Sequence, residues 1–273
     1  MPDQEFTLTV DVGNSRIKFG LFERPDPAPV NRTLPASSDS LAVAVDREVD
    51  WKGIIRHFGH RMLRITRAVM AGVNPAGMTR LLAGWHQSGW PEPRIIDRAA
   101  ELPLRTDVEN PDHVGIDRLL DAVAANLLRT EQQPAVIIDS GTATTVNAVS
   151  AEGVFLGGAI LPGLALQARS LHQYTALLPL IDVRSLADDP VDAVGRNTYD
   201  AISSGLWFGQ IGAIRELTDQ IVNAGDEPHL LLVTGGMGRW LAPALGADFR
   251  FEPHLALRGL AFVAQSSFIR GIA

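Results

Sequence analysis

At 273 residues the chain exceeds the ordinary size of one domain, and two domains of roughly 130 residues each are expected, residues 1–130 and 131–273. A hydrophobic content of 46% with 20% charged residues argues against disorder, collagen or coiled coil, and a net charge of −7 offers no general attraction to a nucleic-acid backbone. The absence of cysteine excludes disulfides, thiolate zinc sites and thiol nucleophiles, and the lack of a signal-type N-terminus or of an apolar run near 18 residues predicts a soluble cytoplasmic protein away from membranes.

In chain order, Phe6–Val10 reads as a strand, Asp11–Ser15 as a polar turn and Ile17–Phe22 as the returning strand. Arg24–Pro35 holds four prolines and predicts an extended loop, Leu41–Arg67 carries apolar positions suited to a helix, and Val69–Val73 reads as a further strand. From Gly115, the residues Ile116, Leu119, Leu120, Val123, Ala124, Leu127 and Leu128 recur at helical spacing and predict a helix ending near Thr130, with the domain boundary at Gln132-Gln133-Pro134. The opening pattern then returns: Ala135–Ile138 as strand, Asp139–Thr145 as turn, Val146–Val149 as strand. The offset is 139 − 11 = 128 residues, about half the chain, which points to a duplicated α/β unit.

The second half continues with a strand at Val154–Ile160, a Pro162-Gly163 turn, and a helix near Leu164–Leu171. A longer helix is expected from Thr198, where Ala201, Gly205, Gly209 and Gly212 form a stripe of small residues that lets another backbone approach. Leu230–Val233 feeds the turn Thr234-Gly235-Gly236-Met237-Gly238 before a helix opening at Arg239, and Leu257–Ile269 closes the chain as a mostly apolar helix.

Four segments carry possible chemistry. In Asp11-Val12-Gly13-Asn14-Ser15 the glycine admits backbone N–H groups to a phosphate, Asn14 and Ser15 supply donors, and Asp11 suits magnesium or its waters, although Gly-Asn is also an ordinary hairpin turn. The repeat at Asp139-Ser140-Gly141-Thr142-Ala143-Thr144-Thr145 lines the second turn with hydroxyls, so that the pair would grip a polyphosphate and its metal from both sides. Thr234–Gly238 follows a strand and opens a helix, as anion-binding turns do, or is a plain flexible connection. Asp117 and Arg118 lie in the first turn of the helix after Gly115, where a carboxylate either serves only that helix's dipole or, with Arg118 holding an anionic acceptor, receives the acceptor's hydroxyl for phosphoryl transfer. No P-loop or dinucleotide-binding glycine string occurs. His57 and His60 read as a solvated face among arginines, and Trp85 and Trp90 as buried apolar area.

Together, Asp11–Ser15, Gly115–Arg118, Asp139–Thr145, Gly157–Gly163, Thr175–Pro179, Gly195–Thr198, Thr234–Gly236 and Leu255–Leu260 resemble the type III pantothenate kinases almost from end to end. The resemblance implies an α/β fold of two similar actin-like domains, sugar-kinase-like and ribonuclease H-like, with the nucleotide site between them. It implies a homodimer that transfers the γ-phosphoryl group of ATP to pantothenate, the first step toward coenzyme A, with magnesium and a monovalent cation, potassium or ammonium. On this basis Asp11, Val12, Gly13, Asn14, Ser15, Arg16, Ile17 and Lys18 form the first phosphate loop, with Asp11 as a magnesium ligand and Thr142 as a second ATP contact. Asp139 supports the monovalent cation; Gly115, Ile116, Asp117, Arg118 and Thr198 contact pantothenate, and Asp117 is the proton acceptor. Two positions depart from the family pattern. Val108 stands where a tyrosine is frequent, and Asn147 stands where the second loop usually ends in an aspartate. Those departures are the hints toward an accessory protein of the same fold with weak or lost kinase activity; an ATPase of the same superfamily is the other alternative.

Overall fold

A computed structural model describes residues 4–24, 33–188, 191–223 and 227–270, so most of the proline-rich loop expected at 24–35 lies outside the described residues. The chain forms two compact units, residues 1–129 with 254–273, and residues 130–253. The expected second domain ran on to residue 273, whereas the closing helix lies with the first unit.

In the first unit, β1 (Phe6–Val12), β2 (Arg16–Glu23), β3 (Ser37–Ala44), β4 (Ile65–Gly72) and β5 (Arg94–Ile95) order as β3-β2-β1-β4-β5. β2 runs antiparallel to β1 and β3, while β4 runs parallel to β1 and β5. Every residue of β1 is buried, as a central strand covered on both faces requires. Leu8, Val10, Val12, Ile17, Phe19 and Leu21 face a core closed by α1 (Trp51–Phe58) and α2 (Pro75–Gly84). Trp51, Trp85 and Trp90 meet edge-to-face there, with centroids 5.7–6.3 Å apart, so Trp85 and Trp90 do bury apolar area. α1 starts at Asp50, whose carboxylate accepts from Gly53 N–H at 2.9 Å, and α2 at Asn74 with Pro75 in its first turn.

The helix expected over Leu41–Arg67 is corrected: the stretch begins in β3, forms helix only in α1, passes through a 3₁₀ turn at Gly59–Arg64 and enters β4. Pairing with β2 outweighs the local pattern at β3, and Gly59 ends α1 with φ 59°. After a two-residue β6 (Arg105–Thr106), α3 (Ile116–Leu128) forms where expected, and α8 (Leu255–Arg270) packs across it. A Cβ on Gly259 would lie 2.2 Å from the Leu120 carbonyl oxygen, so the glycine is what lets the two helix backbones come together.

The second unit repeats the plan. β7 (Ala135–Ser140), β8 (Ala143–Val149), β9 (Val154–Pro162), β10 (Leu230–Thr234) and β11 (Phe249–Phe251) order within it as β9-β8-β7-β10-β11, again with three antiparallel strands followed by two parallel ones. Its helices are α4 (Leu164–Gln173), α5 (Ser185–Asp188), α6 (Thr198–Val222) and α7 (Gly238–Leu245). Val136, Ile138 and Val146 pack with Ile211, Ile214, Val233 and Leu241. The duplication read from the two aspartate turns thus extends to the topology of both sheets.

Candidate active site

The first turn joins β1 to β2. Gly13 N–H donates to the Arg16 carbonyl at 2.9 Å, closing it and leaving Asn14, Ser15 and Arg16 exposed at its tip. Asp11 and Lys18 are cross-strand partners, and Lys18 Nζ lies 3.0 Å from Asp11 Oδ2. Asp11 is 2% exposed, yet its Oδ1 has no hydrogen-bond partner among the described residues. A buried carboxylate oxygen left this way costs free energy unless a cation or an ordered water meets it. Val12 and Ile17 face the core and shape the turn from below.

Residues 115–118 lie at the same place. Val73, just past β4, donates its N–H to the Val12 carbonyl at 3.0 Å. A Cβ built on Gly115 would lie 3.5 Å from Val73 Cγ1 and 2.6 Å from Asp117 Oδ1. Val73 therefore links the first turn to the N-terminus of α3. Ile116 is buried and anchors that end of the helix, and Arg118 N–H donates to Asp117 Oδ1 at 2.9 Å, fixing the carboxylate. Burial pulls the Arg118 guanidinium below its ordinary pKa and the neighbouring Asp117 carboxylate opposes that pull, so Arg118 stays a cation. Residues 11–18 and 115–118, about a hundred positions apart in sequence, thus meet within the first unit.

In the second unit the turn between β7 and β8 is tighter. Gly141 N–H donates to the Ala143 carbonyl at 2.9 Å, and Gly163 N–H to the Thr142 carbonyl at 3.0 Å. Gly163 sits so close that a Cβ there would be 2.3 Å from the Gly141 carbonyl oxygen. From the other side, Gly235 adopts φ 88° and passes Asp139, where a Cβ would be 2.3 Å from Oδ1, while Met237 N–H donates to the Ser140 carbonyl at 3.1 Å. The glycine turn at 234–238 and the Asp139 turn are therefore one structure. Ser140 and Thr144 hydroxyls lie 3.2 Å apart inside it, and Asn147, fully buried, donates from Nδ2 to Thr145 Oγ1 at 3.0 Å.

Thr198 stands elsewhere in the second unit. It opens α6, whose cap Asn197 accepts from Asp200 N–H at 2.9 Å, and it lines a cavity of about 830 Å³ together with Pro162, Gln167, Arg196, Ile202 and Leu206. Pro162 ties the cavity to the Asp139 turn through its neighbour Gly163. Sequence reasoning missed Val73, a residue without a polar group, and the Lys18–Asp11 pairing, which appears only once the register of β1 and β2 is known.

Among solved structures, a propionate kinase from Francisella tularensis subsp. tularensis SCHU S4 superposes with a TM-score of 0.52 at 10% identity, over 95% of this chain and 98% of that one. The ethanolamine utilization protein EutJ from Carboxydothermus hydrogenoformans gives 0.51 at 14%, over 94% and 89%. At such identities the likeness speaks for the fold, the actin-like and sugar-kinase-like architecture. Closer in sequence are type III pantothenate kinases from Phenylobacterium zucineum, 36% identical over 93% of this chain and 95% of that protein, and from Paramagnetospirillum magneticum, 33% identical over 93% and 94%. The family model described as type III pantothenate kinase matches residues 7–220. With the aspartate turns, α3 and the duplicated sheets all in order, the chain belongs to the type III pantothenate kinase family.

Proposed function

We propose that this protein transfers the γ-phosphoryl group of ATP to the primary hydroxyl of pantothenate, giving 4′-phosphopantothenate at the entry to coenzyme A synthesis. The observation that carries the reading is the meeting, through Val73, of the Asp11–Lys18 turn with Asp117 and Arg118. In such a transfer the acceptor oxygen bonds to the γ-phosphorus, the bond to the bridging oxygen breaks, ADP leaves and the hydroxyl proton passes to Asp117. The transition state is loose, so aligning the hydroxyl matters more than base strength. The Gly13 backbone, Asn14, Ser15, Arg16 and Lys18 meet the phosphates, Thr142 adds a contact from the second turn, and Arg118 and Thr198 serve pantothenate.

Magnesium fits the orphaned buried oxygen of Asp11. Among the described residues no three His, Asp or Glu side chains gather to hold a metal, so an ion there takes most of its ligands from phosphate and water, as magnesium commonly does. When bound it neutralises charge building on the phosphoryl oxygens. The carboxylate of Asp139 among hydroxyls and carbonyls is a donor set suited to potassium or ammonium. A homodimer is supported by apolar exposure on the second unit, where Tyr174, Leu177 and Val194 are 80%, 91% and 78% exposed, and by Gly205, Gly209 and Gly212, where a Cβ would meet no other described element within 4 Å. No described helix is long and apolar enough to cross a membrane, which accords with a cytoplasmic site of action.

ADP release measured with and without pantothenate, in potassium and in sodium, tests the reading. Release that depends on pantothenate and on potassium is expected; equal release without an acceptor overturns it. Sedimentation at micromolar concentration tests the dimer separately.

A further inference from the structure

His254 begins α8 with a left-handed backbone, φ 57°, and its carbonyl accepts from Arg258 N–H at 3.0 Å. Its Nε2 lies 3.1 Å from Ser40 Oγ on β3. Across the β2–β3 ladder Gly20 faces Ser40 and Lys18 faces Ala42, so Ser40 and Lys18 project from one face of the sheet, the face on which Leu257 and Ala261 of α8 pack against Phe22. The imidazole thus belongs to the same corner as the lysine that holds Asp11.

Two cations act on that imidazole. Lys18 acts on it from β2 and Arg258 from α8, while Asp39, the acidic neighbour of Ser40, is engaged by His57 and Arg61. The ring keeps an exposed edge, but the protein against its other side, and then the fields of Lys18 and Arg258, hold it below its ordinary pKa and neutral at neutral pH. Arg258 is tied to the Pro35 carbonyl at 2.9 Å and the imidazole to Ser40. Lys18, with a side chain 35% exposed, rests on Asp11 at 3.0 Å.

We propose that His254 is a positioning residue for Lys18: as a neutral imidazole tethered to Ser40, it keeps the flank of Lys18 uncharged and leaves the ammonium resting on Asp11 at the first turn. Protonation would put a further cation beside Lys18 and drive it away from the place where phosphate arrives. The inference rests on the reading of Lys18 as a phosphate contact.

The test compares wild type, His254→Asn and Lys18→Met by steady-state kinetics and by imidazole NMR. Asparagine tolerates the left-handed backbone and retains a group able to bond Ser40, but does not titrate. Between about pH 7.5 and about pH 5.5, where an imidazole changes charge, the ATP KM of wild type should rise two- to fivefold more than that of His254→Asn, roughly the coupling of two partly exposed charges, with kcat moving equally in both. ATP titrates alike in both assays, so the difference isolates the imidazole. The His254 midpoint, below the ordinary value in wild type, should rise in Lys18→Met. An equal acid rise in KM for wild type and His254→Asn, or an unmoved midpoint in Lys18→Met, overturns the positioning role. An ATP KM unchanged by Lys18→Met, with the midpoint moved, overturns instead the assignment of Lys18 to the phosphates.

Discussion

The two units share one strand order, yet the residue across the ladder from the turn aspartate differs. Asp11 faces Lys18, and an ion pair holds one of its oxygens; Asp139 faces Thr145, whose hydroxyl accepts from Asn147. The first turn leaves three polar residues at an exposed tip, whereas the second is closed in by Gly163 on one side and Gly235 on the other. Duplication copied the place of the carboxylate and left its surroundings to the cross-strand partner, a cation in the first unit and a hydroxyl in the second.

The largest expected effect separates the units by chemistry. Asp117→Asn should lower kcat by on the order of 10² to 10⁴, while thermal unfolding stays within a few degrees, because the amide oxygen can still accept from Arg118 N–H. A variant with near-normal kcat would remove the proton acceptor from the first unit. Next come the turn glycines. Gly235→Ala forces a Cβ into Asp139 and Ser140 at a positive φ and should cost about 1–3 kcal/mol in denaturant titration. Gly13→Ala, whose nearest obstacle is the Arg16 carbonyl at 3.2 Å, should cost less than ~1 kcal/mol. Equal costs would break the contrast between an open turn and a closed one.

Exchanging the cross-strand partners sharpens it further. Lys18→Met should raise the ATP KM about tenfold, the worth of one charge-assisted hydrogen bond, without changing the response to potassium. Thr145→Val should do the reverse, weakening the potassium response with little change in ATP KM. The smallest effect concerns pH. His254 has a folded-state pKa below its unfolded value, so the unfolded chain binds more protons between the two. Its contribution to stability is complete above the ordinary histidine value and is lost as pH falls below it toward the folded-state value. Urea midpoints measured across that window should fall slightly in wild type relative to His254→Asn.

Much of this architecture was legible in the residues themselves. The two aspartate hairpins, α3 and the strand before Thr234 carry periodic or continuous apolar patterns backed by turn residues, and those signals are local. β3 was not legible: Ser37–Ala44 is half polar and only partly buried, and it is a strand because β2 offers it an edge. Of the site, the turn and the acceptor motif could be named separately, but their meeting depends on Val73, which touches both without any polar signature. The place of His254 beside Lys18 joins residues 236 positions apart, 254 − 18, and follows only from the packing of α8 on β2.

The return of α8 to the first unit has a consequence for how the protein is made. Residues 130–253 are contiguous and emerge from the ribosome as a complete unit, whereas the first 129 residues must wait for α8 before Leu257 covers Phe22 and Gly259 reaches Leu120. At ordinary synthesis rates that wait lasts on the order of ten seconds, long compared with the folding of a small domain. The unit translated first is therefore finished last, and a chain cut before α8 leaves Phe22 uncovered for chaperones and proteases to find.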